Sequence, residues 1–543
     1  MRLSRRDLFR LGFASGAVLL TGGLRTSRAD NLPSSPSTTP FLYELLPGRG
    51  LPPIAQPVSP FQTLADQSNT VNPDGSMPFH VSGPRVVPDN TEFYKIHIKA
   101  VEHSFHPQLP DNLLWGYDGS IPGPTIVSRT GTPQLVRFFN DLPAVDPVGI
   151  GEPIDAIHRH GGFQAPEDDG YPLDTFSRGQ SRDYFFPNTL EDDLTQNEHA
   201  TLWYHDHSID ITAQNVYRGL AGFYPNFNQL DTGNENDPPP ALGLPSGQYD
   251  IGLVLQDRQF DANGFLVYDS FDHNGFLGDK FLVNGLIQPY LNVARRKYRF
   301  RFLNGSSARF YNLVLSNGRP FVAIATDSHL LEHPVTVSNF TIGPAERVDV
   351  IVDFSGASIH DEIFLVNRQG QTDGRKPDKL VYPGTPLLKF IVNRDAADPS
   401  RVPTTLLPVT VGPQQLLPLV KVQRRFKFER SHGAWVINGE FFDENRINAK
   451  PKSGEPEIWI LEAGGGWAHP VHIHLTEFSI LSRNGMKPPP LEQGRKDTVV
   501  IGGSFGSVAI LIRFAGFTGR YVFHCHNIEH EDMRMMGQFE VQP

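Results

Sequence analysis

Cysteine is almost absent from this chain: Cys525 is the only one in 543 residues. No internal disulfide can form, so the lone thiol is read as being there for chemistry. Methionine is nearly as scarce, at positions 1, 77, 486, 533, 535 and 536 only. Long apolar runs are missing too. The best candidate, Leu11 to Leu24, is shorter than the roughly 20 residues that cross a bilayer, so no stable membrane insertion is expected. There is no excess of positive charge, with 48 Lys and Arg against 59 Asp and Glu. Six of those arginines and one aspartate lie in residues 1–29, which leaves 42 basic and 58 acidic residues, a net −16, for the remainder. That balance argues against nucleic acid and anionic membrane surfaces as partners. Sustained helical periodicity is also lacking.

What is present instead is a series of short extended runs. Glu92 to Val101 alternates like a half-buried strand, and similar runs recur at Leu135–Phe139, Ile251–Leu255, Tyr298–Phe302, Val348–Val352, Ile458–Leu461 and Val508–Phe514. Turn signals lie between them at Asn284-Gly285, Asn317-Gly318, Asn438-Gly439 and Asn484-Gly485. The reading is an all-β chain of sandwich or Greek-key barrel domains, and its length suggests three of them. Residues 30–62, rich in Pro and Ser, read as an irregular surface arm. Composition breaks at Asn228–Gln248 and Asn393–Pro408 read as linkers, giving domains over 40–227, 248–393 and 409–543. The metal-like motifs fall in the first and third, which makes the middle one a spacer. A monomer is expected.

Residues 1–29 read as an export leader. Ser4-Arg5-Arg6-Asp7-Leu8-Phe9-Arg10 resembles a twin-arginine signal, followed by a short apolar core and a small-x-small cleavage site at Ser27-Arg28-Ala29. The twin-arginine export machinery is then a partner, and the expected location is periplasmic or secreted, in a bacterium. That route carries folded proteins, which suits one that takes up a cofactor before crossing.

The most informative stretch is His524-Cys525-His526, followed by His530 and Met535. Its bulky and β-branched surroundings favour a strand, in which neighbouring side chains face opposite ways. His524 and His526 then share one face and Cys525 takes the other, so one tripeptide can ligate metal on two sides. A thiolate with two histidines and a weak axial methionine is the blue-copper electron-transfer arrangement. His530 is close enough to fold back as one ligand, and His469 offers itself as the other. Spacing alone does not choose among Met533, Met535 and Met536. The bland alternative is a buried structural cysteine.

Four His-x-His pairs complete the pattern: His158/His160, His205/His207, His472/His474 and His524/His526. Each presents two imidazoles on one face of an extended segment. Two pairs come from each terminal domain, so packing those domains together would converge eight imidazoles on a shared cluster. Neutral imidazole suits copper.

These motifs, with Leu202-Trp203-Tyr204-His205-Asp206-His207 and Asn215-Val216-Tyr217-Arg218-Gly219, resemble the four copper-binding motifs of multicopper oxidases. The likeness is strongest to the three-domain bacterial laccase and bilirubin-oxidase subgroup. The resemblance implies three cupredoxin-like domains and four copper ions. One, type 1, would be held by His469, Cys525 and His530, with Met535 axial because the family leaves four residues after the histidine. The type 2 ion would take His158 and His472. The type 3 pair would take His160, His205, His207, His474, His524 and His526. It further implies one-electron oxidation of a phenolic or other aromatic reductant, with bilirubin a further candidate, at the edge of His530, coupled to reduction of dioxygen to water. Glu531 and Asp169 would supply protons. Three alternatives compete: a copper-free scaffold in cell division, a copper nitrite reductase, and a Cu(I) or other metal-ion oxidase. The first would have lost ligands and none is lost; the second lacks the four pairs; the third often has a methionine-rich segment, absent here.

Overall fold

The computed structural model describes residues 32–61, 79–80, 86–144, 146–189, 200–408 and 411–543. The twin-arginine leader and Met77 lie outside the described residues. The chain folds almost wholly into strands, and the α-helices among the described residues are the short Thr212–Tyr217, Pro413–Leu416 and Ile528–Asp532. None is long and apolar enough to cross a membrane.

Three pairs of sheets follow one another along the chain, and each begins the same way. Strand Glu92–His103 runs parallel to Gln134–Asn140, Asp250–Phe260 to Lys297–Asn304, and Val422–Ser431 to Pro456–Ala463. A parallel neighbour cannot be reached by a hairpin, so each unit carries the same crossover, as cupredoxin-like barrels do. Each pair of sheets encloses its own apolar core. The cores are built around Trp115 and Tyr204 in the first unit, Phe300 and Phe390 in the second, and Trp459 and Phe523 in the third. Three of the four Asn-Gly signals form turns with both residues at positive φ: Asn284 and Gly285, Asn438 and Gly439, Asn484 and Gly485. That is the backbone which closes a two-residue hairpin with the twist of its strands.

The segments read as arm and linkers are pinned down. Glu44, Ile54 and Val58 bridge to Tyr290, Thr125 and Phe93, and Leu45 is buried in the middle core. In the first linker Asp231 pairs with Arg299 at 2.5 Å and Glu235 with Arg296 at 2.5 Å. Asp398 of the second holds Lys297 at 2.7 Å. Asp231, Glu235, Arg296 and Arg299 are buried, where an unpaired ion would be costly, so the first linker and the sheet are fixed together.

Two sheets carry the histidine motifs. In the first unit, Thr201–Asp206 pairs with Ile157–His160, placing Trp203 across from His160 and His205 across from His158. In the third, Ala468–Ile473 pairs with Gly519–Cys525, placing His472 across from His524. The histidine motifs of each unit therefore lie side by side on adjacent strands.

Candidate metal centre

Gly519–Cys525 is a strand, as its sequence requires, and its alternation separates the tripeptide's side chains. Cys525 points into the third unit's core beside Met535. There its Sγ lies 3.4 Å from His469 Nδ1 and 3.5 Å from His530 Nδ1, with the two nitrogens 3.2 Å apart. His524 and His526 point the other way, into a space shared with the first unit. The eight paired histidines meet in that space. Their donor atoms form three close groups: His158, His160 and His472; His160, His205 and His526; and His207, His474 and His524. All ten histidines and Cys525 are buried.

Their hydrogen bonds fix which nitrogen is bare. A carbonyl can only accept, so a ring nitrogen beside one must carry the proton. His158 Nδ1 donates to Asp169 O at 2.6 Å, His205 Nδ1 to Asp206 O at 2.7 Å and His472 Nδ1 to Asp497 O at 2.9 Å. His530 does the reverse, donating from Nε2 to Asn274 O at 3.1 Å and leaving Nδ1 to the thiol. His474 Nδ1 donates to Asp169 Oδ2 at 2.6 Å, and His160 Nε2 to Asp497 Oδ1 at 3.1 Å. The opposite nitrogens then face one another as lone pairs. His158 and His472 stand 3.4 Å apart through Nε2, and His524 Nε2 is 3.2 Å from both His207 Nε2 and His474 Nε2. His160 Nδ1, His205 Nε2 and both nitrogens of His526 have no hydrogen-bond partner.

Converging, desolvated lone pairs repel unless a cation lies between them, so the donor set itself fits a metal. Protons do not serve as that cation. Burial pushes His205 and His469 down to about 3 and His207 to about 4, and drives the other cluster histidines with a resolved shift well below the ordinary imidazole range. Imidazole with thiolate and thioether suits copper, and imidazole alone suits copper as well.

Register separates the three methionines. Met536 pairs with His524 and packs with Val522 on the face away from Cys525. Met535, one residue earlier, turns to the other face, is wholly buried, and shares the core of Cys525. Met533 is only half-buried at the margin of that core.

Both expected carboxylates are buried against the histidines. Asp169 holds His158 through its carbonyl and His474 through its side chain, and Gln164 Nε2 donates to its Oδ1 at 2.8 Å. Glu531 Oε2 lies 3.0 Å from His524 Nδ1 and Oε1 3.5 Å from His207 Nδ1.

Three tracts of sequence matched by multicopper oxidase family models, residues 97–225, 267–382 and 413–543, cover the three sheet pairs. The bilirubin oxidase of Albifimbria verrucaria is 38% identical over 464 residues, spanning 82% of this chain and 76% of that one. The chain belongs to the multicopper oxidase family. The laccase of Bacillus subtilis is 33% identical, covering 83% of this multicopper oxidase and 94% of its own length. Among solved structures, laccase from Pediococcus acidilactici superposes with a TM-score of 0.72 at 27% identity, covering 94% of this chain and 95% of that one. As a member of the family the protein is a copper-dependent oxidoreductase that uses dioxygen as acceptor.

Two features differ from, or escape, the sequence reading. His530 presents no open edge. Trp435 stacks on it with ring centroids 3.7 Å apart, Trp467 stands 5.7 Å away, and the main chain at Asn274 closes over Nε2. Trp435 is itself pinned by Nε1 donating to His273 O at 2.6 Å. The cover comes from 95 residues earlier and from the middle unit, so no local motif announces it. Asp497 and Arg347 were also missed. The signal available was Arg347 inside the apolar strand Arg347–Asp353, where a buried cation requires a partner. Of the remaining histidines, half-buried His103 bonds Gly285 O and buried His106 bonds Thr39 O.

Proposed function

We propose that this multicopper oxidase draws single electrons from phenolic and related aromatic reductants at the His469, Cys525, His530 and Met535 site and reduces dioxygen to water at the eight-histidine site. The observation that carries the reading is the tripeptide. Cys525 belongs to one donor set while its two chain neighbours belong to the other, so one peptide unit on either side is the whole covalent distance between them. Four ions fit the donor groups: one beside Cys525, one between His158 and His472, one among His160, His205 and His526, and one among His207, His474 and His524. Copper bound in these places would supply one-electron redox chemistry at the first site and multi-electron chemistry toward dioxygen at the second.

The protein's own residues do the rest. Carbonyls and carboxylates hold each imidazole in one tautomer, which keeps the coordinating lone pairs aimed inward. Glu531, a carboxylate between His524 and His207, is placed to take up protons and pass them to the histidine site. Asp169 is the second such acid. Trp435, itself buried, and Trp467 exclude water from His530, and the half-buried Trp467 offers aromatic surface to a stacking donor. Export by the twin-arginine route, a periplasmic or secreted location and a monomeric state complete the proposal.

Oxygen uptake by the copper-loaded protein, screened across phenols, aminophenols, bilirubin and chelated Cu(I), tests this reading. Turnover of aromatic donors with release of water rather than hydrogen peroxide is expected. Peroxide as the product, or turnover of Cu(I) alone, would overturn it.

A further inference from the structure

We propose that Arg347, on a strand of the middle unit, is a positioning residue for the eight-histidine site and acts through Asp497. The inference rests on the copper reading above and adds to it that the middle unit is part of the centre's framework. The buried guanidinium grips Asp497 with both arms, Nη1 to Oδ1 at 2.7 Å and Nη2 to Oδ2 at 2.5 Å. Its Nε donates to Thr201 O at 3.0 Å, on the strand that continues to His205. One side chain of the middle unit thus binds the first and the third together at the histidines.

Asp497 passes that position on. Its Oδ1 accepts the proton of His160 Nε2 at 3.1 Å, and its carbonyl accepts from His472 Nδ1 at 2.9 Å. Fixing the proton of His160 on Nε2 is what leaves Nδ1 bare toward His205 and His526. Fixing that of His472 on Nδ1 leaves Nε2 bare toward His158. Asp327 braces the clamp from behind: Oδ1 accepts from the Arg347 N–H at 3.1 Å, and Oδ2 from the N–H groups of Asp497 and Thr498 at 3.2 and 3.1 Å.

The glycine after His160 supports the same assignment. Gly161 has φ +79°, and a Cβ there would stand 2.6 Å from Asp497 Oδ2 and 2.7 Å from Arg347 Nη2. The His158-Arg159-His160-Gly161 motif therefore ends in glycine because the Arg347–Asp497 pair occupies the space where a side chain would be. A planar, two-pronged donor suits this geometry, and the point charge of lysine does not.

The test compares Arg347→Lys and Arg347→Gln with the wild type, all copper-loaded. It reads copper per protein, the type 2 electron paramagnetic resonance signal and the absorption of the Cys525 site near roughly 600 nm. Both variants are expected to stay blue while the type 2 signal weakens or changes its hyperfine splitting, with copper at the histidine site held about 10- to 100-fold less tightly. Arg347→Lys should be the milder. Wild-type signals and affinity in Arg347→Lys overturn the proposal, including where Arg347→Gln fails to fold. Parallel loss of blue absorption and type 2 signal overturns it as well, because that marks general destabilisation. A loaded wild type with neither signal overturns the copper reading and this inference with it.

Discussion

Glu531 Oε2 stands 3.0 Å from His524 Nδ1 in the buried space between the first and third units, while its Oε1 reaches toward His207. A single carboxylate thus spans two histidines of the same donor group. Glu531→Gln keeps the size and loses the exchangeable proton. Dioxygen reduction should slow by about 100-fold, the lower range for a positioned acid or base, while anaerobic reduction of the enzyme by substrate stays fast. Stopped-flow measurement of the two half-reactions separates the cases. Equal slowing of both counts against a proton-relay role.

Cys525→Ser removes the thiolate from one donor set without touching the imidazoles of the other. The variant is expected to be colourless near roughly 600 nm, where sites of this ligand set absorb, and inactive, while retaining copper among the eight histidines. Serine is smaller and polar, so burying its hydroxyl in this core should also cost about 1–3 kcal/mol unless a partner is found. A blue, active variant would sink the assignment of both sites.

The candidate donors were legible in the sequence because each motif is local. His-x-His on a strand is a statement about one face, and four such statements require no knowledge of the fold. The strands were legible for the same reason, as at Tyr298–Phe302 and Val508–Phe514. Partition of the histidines into groups was not, because His160 joins His205 and His526 only when two sheets far apart in sequence pack face to face. The same holds for Arg347, which meets Asp497 across a separation of 150 residues. Trp435 over His530 is a third case. Reading the middle unit as a spacer followed from its having no ligand motif, and its Asn274, Arg347 and Asp327 show how much framework can lie outside motifs.

Met535→Leu tests the axial position. Leucine fills similar volume, so the fold should lose less than about 1.5 kcal/mol, and the blue colour should persist. The reduction potential should rise, because the axial group tunes it. Met533→Leu and Met536→Leu should leave the potential unchanged, since Met536 faces away and Met533 lies at the core's edge. A shift in either of these with none in Met535→Leu would reassign the ligand.

Copper removal should lower stability as well as activity. Ions that bind the folded chain alone stabilise it by about 4 kcal/mol at a thousandfold excess over Kd, and a cation relieves the repulsion among the bare nitrogens of His207, His474 and His524, which stand 3.2 Å apart in succession. Chelated protein should therefore unfold at lower temperature than loaded protein in scanning calorimetry. Cys525→Ser should keep most of the difference, because the larger donor set is intact. Identical transitions with and without copper would mean that the histidines do not hold it.

The reductant is decided by what covers His530. The buried Trp435 lies flat against the imidazole and the half-buried Trp467 stands edge-on to both rings, so a donor meets the indole of Trp467 rather than a bare ligand. Phenols and aminophenols stack on such surface and give up electrons singly. A dedicated Cu(I) oxidase needs soft thioether ligands at the same place. Apart from the 533–536 cluster, the described residues hold only Met486, which is 69% exposed at the Asn484-Gly485 turn. The kcat/KM for 2,6-dimethoxyphenol should therefore exceed that for chelated Cu(I) at matched pH and saturating oxygen, and Met486→Leu should change neither. A strong preference for Cu(I), abolished by Met486→Leu or Met77→Leu, would replace the aromatic reductant with a metal ion and leave the oxidase standing.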